Sequence, residues 1–222
     1  LFDPYIIIQR PELKIGIIGL TDLAPDSIPE LIMDDYIVAG QEFISKIKKK
    51  VDKVVLLVNS DRSTYKDLPT HFSEADLIYT SGSTTLTRPM MRQLVNGPYL
   101  YSSGREGRYL NVTELNIANK SLPVTNVTFL KENMKYTQRR LDRLQDSARE
   151  KTLEEIYAGQ EAVLEKITQS RNSITHSRKI LEAAVNTLYF ENVPMGAQII
   201  DDENMMSFVN ETLSKCSDLK NQ

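Results

Sequence analysis

The sequence has no tryptophan, one cysteine and two histidines in 222 residues. A single thiol, Cys216, cannot close an internal disulfide, so cysteine usage does not identify the redox compartment, and a free tail thiol is its simplest reading. No Cys-x-x-Cys-His occurs, which excludes attachment of a c-type haem by that route. No run approaches the roughly 18 apolar residues needed to span a bilayer. Charge of one sign is also lacking: 27 Lys and Arg stand against 30 Asp and Glu, a net charge of −3, which gives no electrostatic case for nucleic acid. The one basic stretch, 46–53, reads as the solvated end of a helix. The chain opens at Leu1 on the apolar run Tyr5-Ile6-Ile7-Ile8, without Met or signal peptide, so the expectation is a processed or truncated chain with a segment upstream.

What is present alternates between strands and helices. Residues 5–9 and 14–20 read as two strands joined by Arg10-Pro11-Glu12-Leu13, a hairpin. Residues 22–30, with two prolines, form a loop. A helix is expected over 34–50, with Ile37, Val38, Phe43, Ile44 and Ile47 near one face and acids before lysines. Val54-Val55-Leu56-Leu57-Val58 has the continuous β-branched character of a buried parallel strand. Residues 71–75 read as helical. Strands follow at 76–80, 99–101 and 109–117, the last two flanking a glycine-bearing turn. The first 118 residues therefore read as an α/β layer with a mixed sheet.

From Asn126 the composition changes. Between 129 and 191 there is no proline and a single glycine, Gly159. Leu130, Met134, Thr137, Leu141, Leu144 and Ala148 form a heptad stripe. A second runs through Leu153, Ile156, Gln160, Val163, Ile167, Ser170, Ile174, Ser177, Leu181, Ala184 and Leu188, with a phase slip near 150–152. A narrow stripe needs a partner. The expectation is an antiparallel coiled-coil hairpin folding back near 158–160, with arms of about 30 residues, in place of one helix of roughly 90 Å. Asp201-Asp202-Glu203 then opens a short last helix.

Four segments of the first half, in order, resemble the C-terminal half of a calcineurin-like metallophosphoesterase domain of the 5′-nucleotidase type. KIGIIGLT at 14–21 is similar to the family's central strand. The stretch VVLLVNSD ending at Asp61 resembles the strand that ends in a metal-binding His. EADLIYTSGSTT at 74–85 resembles the Gly-His-x-His segment, and PYLYSSGREGRYLNVTELNI at 98–117 the hairpin after it. The resemblance covers a little over half the chain. It implies half of a metallophosphoesterase-like α/β sandwich with a mixed sheet (1–122), followed by a long α-helical coiled-coil arm (126–191) and a C-terminal helix and tail (192–222).

The departures from the family pattern set the functional expectation. Such enzymes bind two metal ions between strand ends, through imidazole and carboxylate. Here Asn59 stands at the first His position, and Gly82 and Thr84 stand where the Gly-His-x-His pair belongs. Asp61 and Ser83 are the weak candidate ligands left nearby. Neither His71 nor His176 falls on a matching position. The expectation is no catalytic residue, no metal and no cofactor: a scaffold, associating with a protein partner or itself through Leu130, Met134, Leu141, Leu144, Ile156, Ile167, Ile174, Leu181 and Leu188. The alternative is a fragment or subunit of a metal-dependent phosphoesterase whose other ligands, holding Mn or Zn, lie upstream. Ser103, Gly104, Arg105 and Arg108 form a weaker candidate, an anion-binding turn. Relatives of this architecture are often exported, which implies a periplasmic or cell-envelope location.

Overall fold

A computed structural model describes residues 3–23, 32–82, 84–94, 97–146, 148–196 and 198–219, with the backbone alone of 217–219. Residues 24–30 of the expected loop lie outside the described residues, as does Ser83. The described chain forms two sheets and six α-helices, a mixed α/β architecture.

Strands β1 (Tyr5–Gln9) and β2 (Lys14–Thr21) form the hairpin. Arg10 and Leu13 exchange both backbone bonds, 2.8 and 3.4 Å, across the Pro11-Glu12 turn, which fixes the register. Strands β3 (Lys53–Asn59), β4 (Leu77–Ser81) and β5 (Tyr99–Ser102) run parallel to β2, in the order β1-β2-β3-β4-β5. The crossover to β3 is helix α1 (Tyr36–Ile47). The Asp35 carboxylate caps it, accepting from the N–H groups of Ile37 (2.8 Å) and Val38 (3.1 Å). Gly16 allows the close approach of this helix, because a Cβ there would meet the Ile47 side chain at 2.5 Å. A 3₁₀ turn (Arg62–Thr64) and the single-turn helix α2 (Leu68–His71) lead to β4, so the expected helix at 71–75 forms three residues earlier. Ile18, Ile44, Leu56, Phe72 and Ile78 make the core on this face.

A second sheet covers part of the other face. It contains β6 (Tyr109–Asn116), β7 (Val124–Asn126) and β8 (Asn186–Pro194), in the order β6-β8-β7. This corrects two expectations. The strands flanking the 103–107 turn do not pair: β5 ends the first sheet, and β6 pairs with β8. The chain is also not helical to 191. It leaves helix at Ala183 and returns as a strand, so Leu188, expected on the arm's stripe, is fully buried between the sheets.

Tyrosines join the two layers. Tyr79 donates to the Thr113 hydroxyl (2.6 Å), and Tyr99 donates to the Val124 carbonyl (2.7 Å) while accepting from the Asn126 N–H (3.1 Å). Tyr101 accepts from the Asn126 amide and stacks on Phe190 at 4.1 Å between ring centroids, 17° from parallel. Buried Asn186 anchors the other end of β8. Its amide oxygen accepts from the Ala118 and Asn119 N–H groups at 2.9 Å, and its amide nitrogen donates to the Asn119 and Leu122 carbonyls.

Helices α3 (Val127–Gln145) and α5 (Glu161–Ala183) run out from the second sheet and back, with the short α4 (Leu153–Ile156) between them. Both return to the sheet, since the Thr128 hydroxyl at the start of α3 accepts the Phe190 N–H at 2.8 Å. These helices have 19 and 23 residues and replace the expected coiled coil of thirty-residue arms. The chain breaks twice between them: at 146–152, where the stripe slips phase, and again at 157–160, where Gly159 takes a φ of +83°. Thr152 and Glu155 form a capping box at the first break and restart the helix as α4, which wedges Leu153 against Leu141 and Ile167. Helix α6 (Glu203–Leu219) closes the described chain, with Met205, Phe208 and Leu213 exposed. No helix among the described residues is long and apolar enough to cross a membrane.

Burial pushes the hydroxyl pKa of Tyr79, Tyr99 and Tyr101 upward, because the phenolate would lose its hydration. The folded state therefore holds these protons more tightly than the unfolded chain. Their contribution is whole below about pH 10 and is lost as pH rises through the folded-state values. Chemical denaturation at rising pH is expected to show this alkaline loss of stability. Tyr79→Phe should lessen it, at a cost of about 1 kcal/mol near neutrality.

Candidate functional site at the carboxyl edge of the parallel sheet

In open α/β sheets, ligands collect beyond the carboxyl ends of the strands. Here that edge is built by Thr21, Asn59 and Ser81, aligned across β2, β3 and β4. The chain continues from each end as Asp22, Ser60 and Gly82. The sheet thus gathers the positions that sequence comparison singled out: Asn59 and Gly82 are direct neighbours.

Asn59 and Gly82 are tightly constrained, although Ser81 and Gly82 face solvent. The Asn59 amide oxygen accepts the Ser81 hydroxyl at 3.0 Å. Gly82 has a φ of +83°. A Cβ at this position would run into the Ser60 carbonyl oxygen and come within 3.2 Å of Asn59 Oδ1. Glycine here is a steric requirement of the turn, and a histidine would not fit without moving the β3 end. Asp61 turns away to cap the 3₁₀ turn, its Oδ1 accepting from the Ser63 N–H at 2.8 Å. That bond holds the exposed Asp61 carboxyl below its ordinary pKa. Thr84 is exposed. Among the described residues, no three His, Cys, Asp or Glu side chains stand within reach of one ion. The donor set present, an amide oxygen already engaged, a glycine and a capping carboxylate, does not fit a two-metal centre.

One residue of this edge escaped the sequence reading. Asp22 follows β2, its N–H donating to the Asn59 carbonyl at 3.2 Å. Its Oδ1 is buried and, among the described residues, meets no hydrogen-bond donor. The signal available was an Asp at the carboxyl end of an apolar strand, masked by the loop residues that follow it.

The other candidates are scattered. His71 ends α2 and His176 lies on α5; both are exposed. In the 103–108 turn, Arg108 Nη2 pairs with Glu106 at 2.5 Å and Arg105 Nε approaches it at 3.6 Å, so an internal carboxylate competes with any anion for the arginines. The Gly104 N–H donates to the Ser102 hydroxyl at 3.4 Å, and Ser103 bridges to Leu86. Of the arm residues, Leu141 and Ile167 are buried inside the hairpin, with Leu144, Ile156 and Ile174 packed against them. Leu130, Met134 and Leu181 are half-buried.

No protein-family model matches the chain, and no curated protein does. Among solved structures, a hypothetical protein from Thermus thermophilus is similar over 45% of this chain and 37% of its own, with 14% identity and a TM-score of 0.35. The sulfate thiohydrolase SoxB of Thermus thermophilus, solved in complex with glycerol, is similar over 52% of this chain and 22% of its own, with 21% identity and a TM-score of 0.44. The matched part is thus well under two thirds of either protein's length. Both likenesses are distant, and the chemistry of the edge follows from its own geometry.

Gly82→Ala is expected to destabilise the chain by about 2 kcal/mol, from the left-handed backbone and the Ser60 contact together. Urea denaturation midpoints measure it. Gly82→His should cost more and should not recruit zinc.

Proposed function

We propose that this chain is a non-catalytic, metallophosphoesterase-like binding component, a scaffold whose carboxyl edge has no room for a metal-binding side chain at Gly82. The observation that carries this reading is Gly82. The space a metal-binding side chain would need is filled by the Ser60 carbonyl and the Asn59 amide. Apolar surface supports the binding half: Met205, Phe208 and Leu213 of α6 are 60, 64 and 59% exposed. The helical arm has spent most of its stripe on itself. Its share in association rests on the half-buried Leu130, Met134 and Leu181 at the end nearer the sheet.

A second reading, a piece of a metal-dependent phosphoesterase, has one observation in its favour. Asp22 Oδ1 is a buried carboxylate oxygen without a donor among the described residues, costly unless a cation or donor meets it. The two readings separate in one assay. The purified chain, given Mn²⁺ or Zn²⁺, is expected to leave p-nitrophenyl phosphate and nucleoside monophosphates at the uncatalysed rate. Metal-dependent turnover that Asp22→Asn abolishes would establish the second reading instead.

A further inference from the structure

A second concavity lies at the opposite end of the sheet, independent of the carboxyl edge. It is a cavity of about 280 Å³ between the amino ends of β3, β4 and β5 and the second sheet. Its walls include Tyr99, Val124 and Leu188, and its polar corner is Lys53 and Asp76. Lys53 Nζ donates to Asp76 Oδ1 at 2.7 Å, and the lysine side chain is only 10% exposed. Asp76 Oδ2 is occupied by the Val54 N–H at 2.8 Å.

Both groups of this corner keep hydrogen-bonding capacity toward the cavity. An ammonium has three N–H donors, and among the described residues Lys53 meets one acceptor. Asp76 Oδ1 keeps a lone pair beyond the one Lys53 takes. The corner opens on the cavity, where a guest that both accepts and donates can take the place of solvent at Lys53 and Asp76. The net charge there is zero. An incoming carboxylate would face the Asp76 oxygen without a net positive charge to repay its desolvation, and an ammonium would face Lys53. A neutral head that is acceptor and donor at once meets neither penalty. Beside Ser73, the other side chains of the lining are mainly apolar, among them Leu77, Leu115 and Pro123, so the body of the guest is a short hydrocarbon.

We propose that this cavity binds a small neutral carboxamide on a short apolar chain. The carbonyl accepts from Lys53, the NH₂ group donates to Asp76 Oδ1, and the chain packs on Tyr99, Val124 and Leu188.

The test is a ¹⁵N NMR titration of the full 222-residue chain with butyramide, with butyrate and butylamine as charged counterparts. Saturable shifts at the amides of Leu77, Val124 and Leu188 are expected, with each charged counterpart bound at least about tenfold more weakly. Lys53→Met should abolish the shifts, but it strands Asp76 and can unfold the chain. Val124→Phe fills the cavity and leaves the ion pair in place, so a folded Val124→Phe protein that no longer responds supports the site. No saturable response to butyramide, equal responses to all three compounds, or a response that survives Val124→Phe in a protein of unchanged thermal midpoint would overturn it and leave a cavity holding water only.

Discussion

The structure depends on how a face of buried tyrosines on one sheet is satisfied by the edge of another. Tyr79, Tyr99 and Tyr101 project from β4 and β5 into the space between the layers. An unpaired phenol hydroxyl in such a place would cancel a large part of what the ring's burial gains. Each hydroxyl finds its partner on the second sheet: Thr113 on β6, and Val124 and Asn126 on β7. The second sheet in turn exists because β8 runs between β6 and β7, pressing Leu188 and Phe190 onto those rings. Residues far apart in sequence thus become mutually necessary. The helical hairpin is an excursion between β7 and β8, leaving and returning at the Thr128–Phe190 bond.

That dependence explains what the sequence made legible. The first 81 residues read correctly in nearly every strand because parallel strands are continuous apolar runs, as at Val54-Val55-Leu56, and their helix carries its own cap in Asp35. The error came at Asn186 to Phe190. There the four-residue step from Ala184 to Leu188 continues the heptad stripe, while Leu188 and Phe190 alternate with Thr187 and Tyr189 at the period of a strand. Both periods fit a short window. Tertiary pairing with β6 and β7 decides between them, and no local signal carries it. The phase slip at 150–152 was visible, but its consequence, a capped restart and the wedge α4, depends on what Leu153 packs against.

The candidate site divides the same way. That Asn59, Gly82 and Thr84 lack the chemistry of metal ligands is readable from residue types alone. That Gly82 cannot be otherwise is not readable, because the constraint is the Ser60 carbonyl of a neighbouring strand's end, 22 residues earlier in the chain. The same edge holds Asp22 with an oxygen unmet among the described residues, which no motif announced. A constrained turn and a stranded carboxylate on one edge are what makes the scaffold reading sharp enough to fail.

The most direct measurement is paramagnetic broadening of backbone amide signals by Mn²⁺ added to the folded, ¹⁵N-labelled chain. An edge without a metal-ligand set predicts only weak, non-saturating broadening, spread over exposed carboxylates such as Asp201 and Asp202. Saturable broadening at one equivalent, centred on Asp22, Asn59, Ser60 and Gly82, would contradict the account and place an ion where the present geometry leaves no ligand set for one.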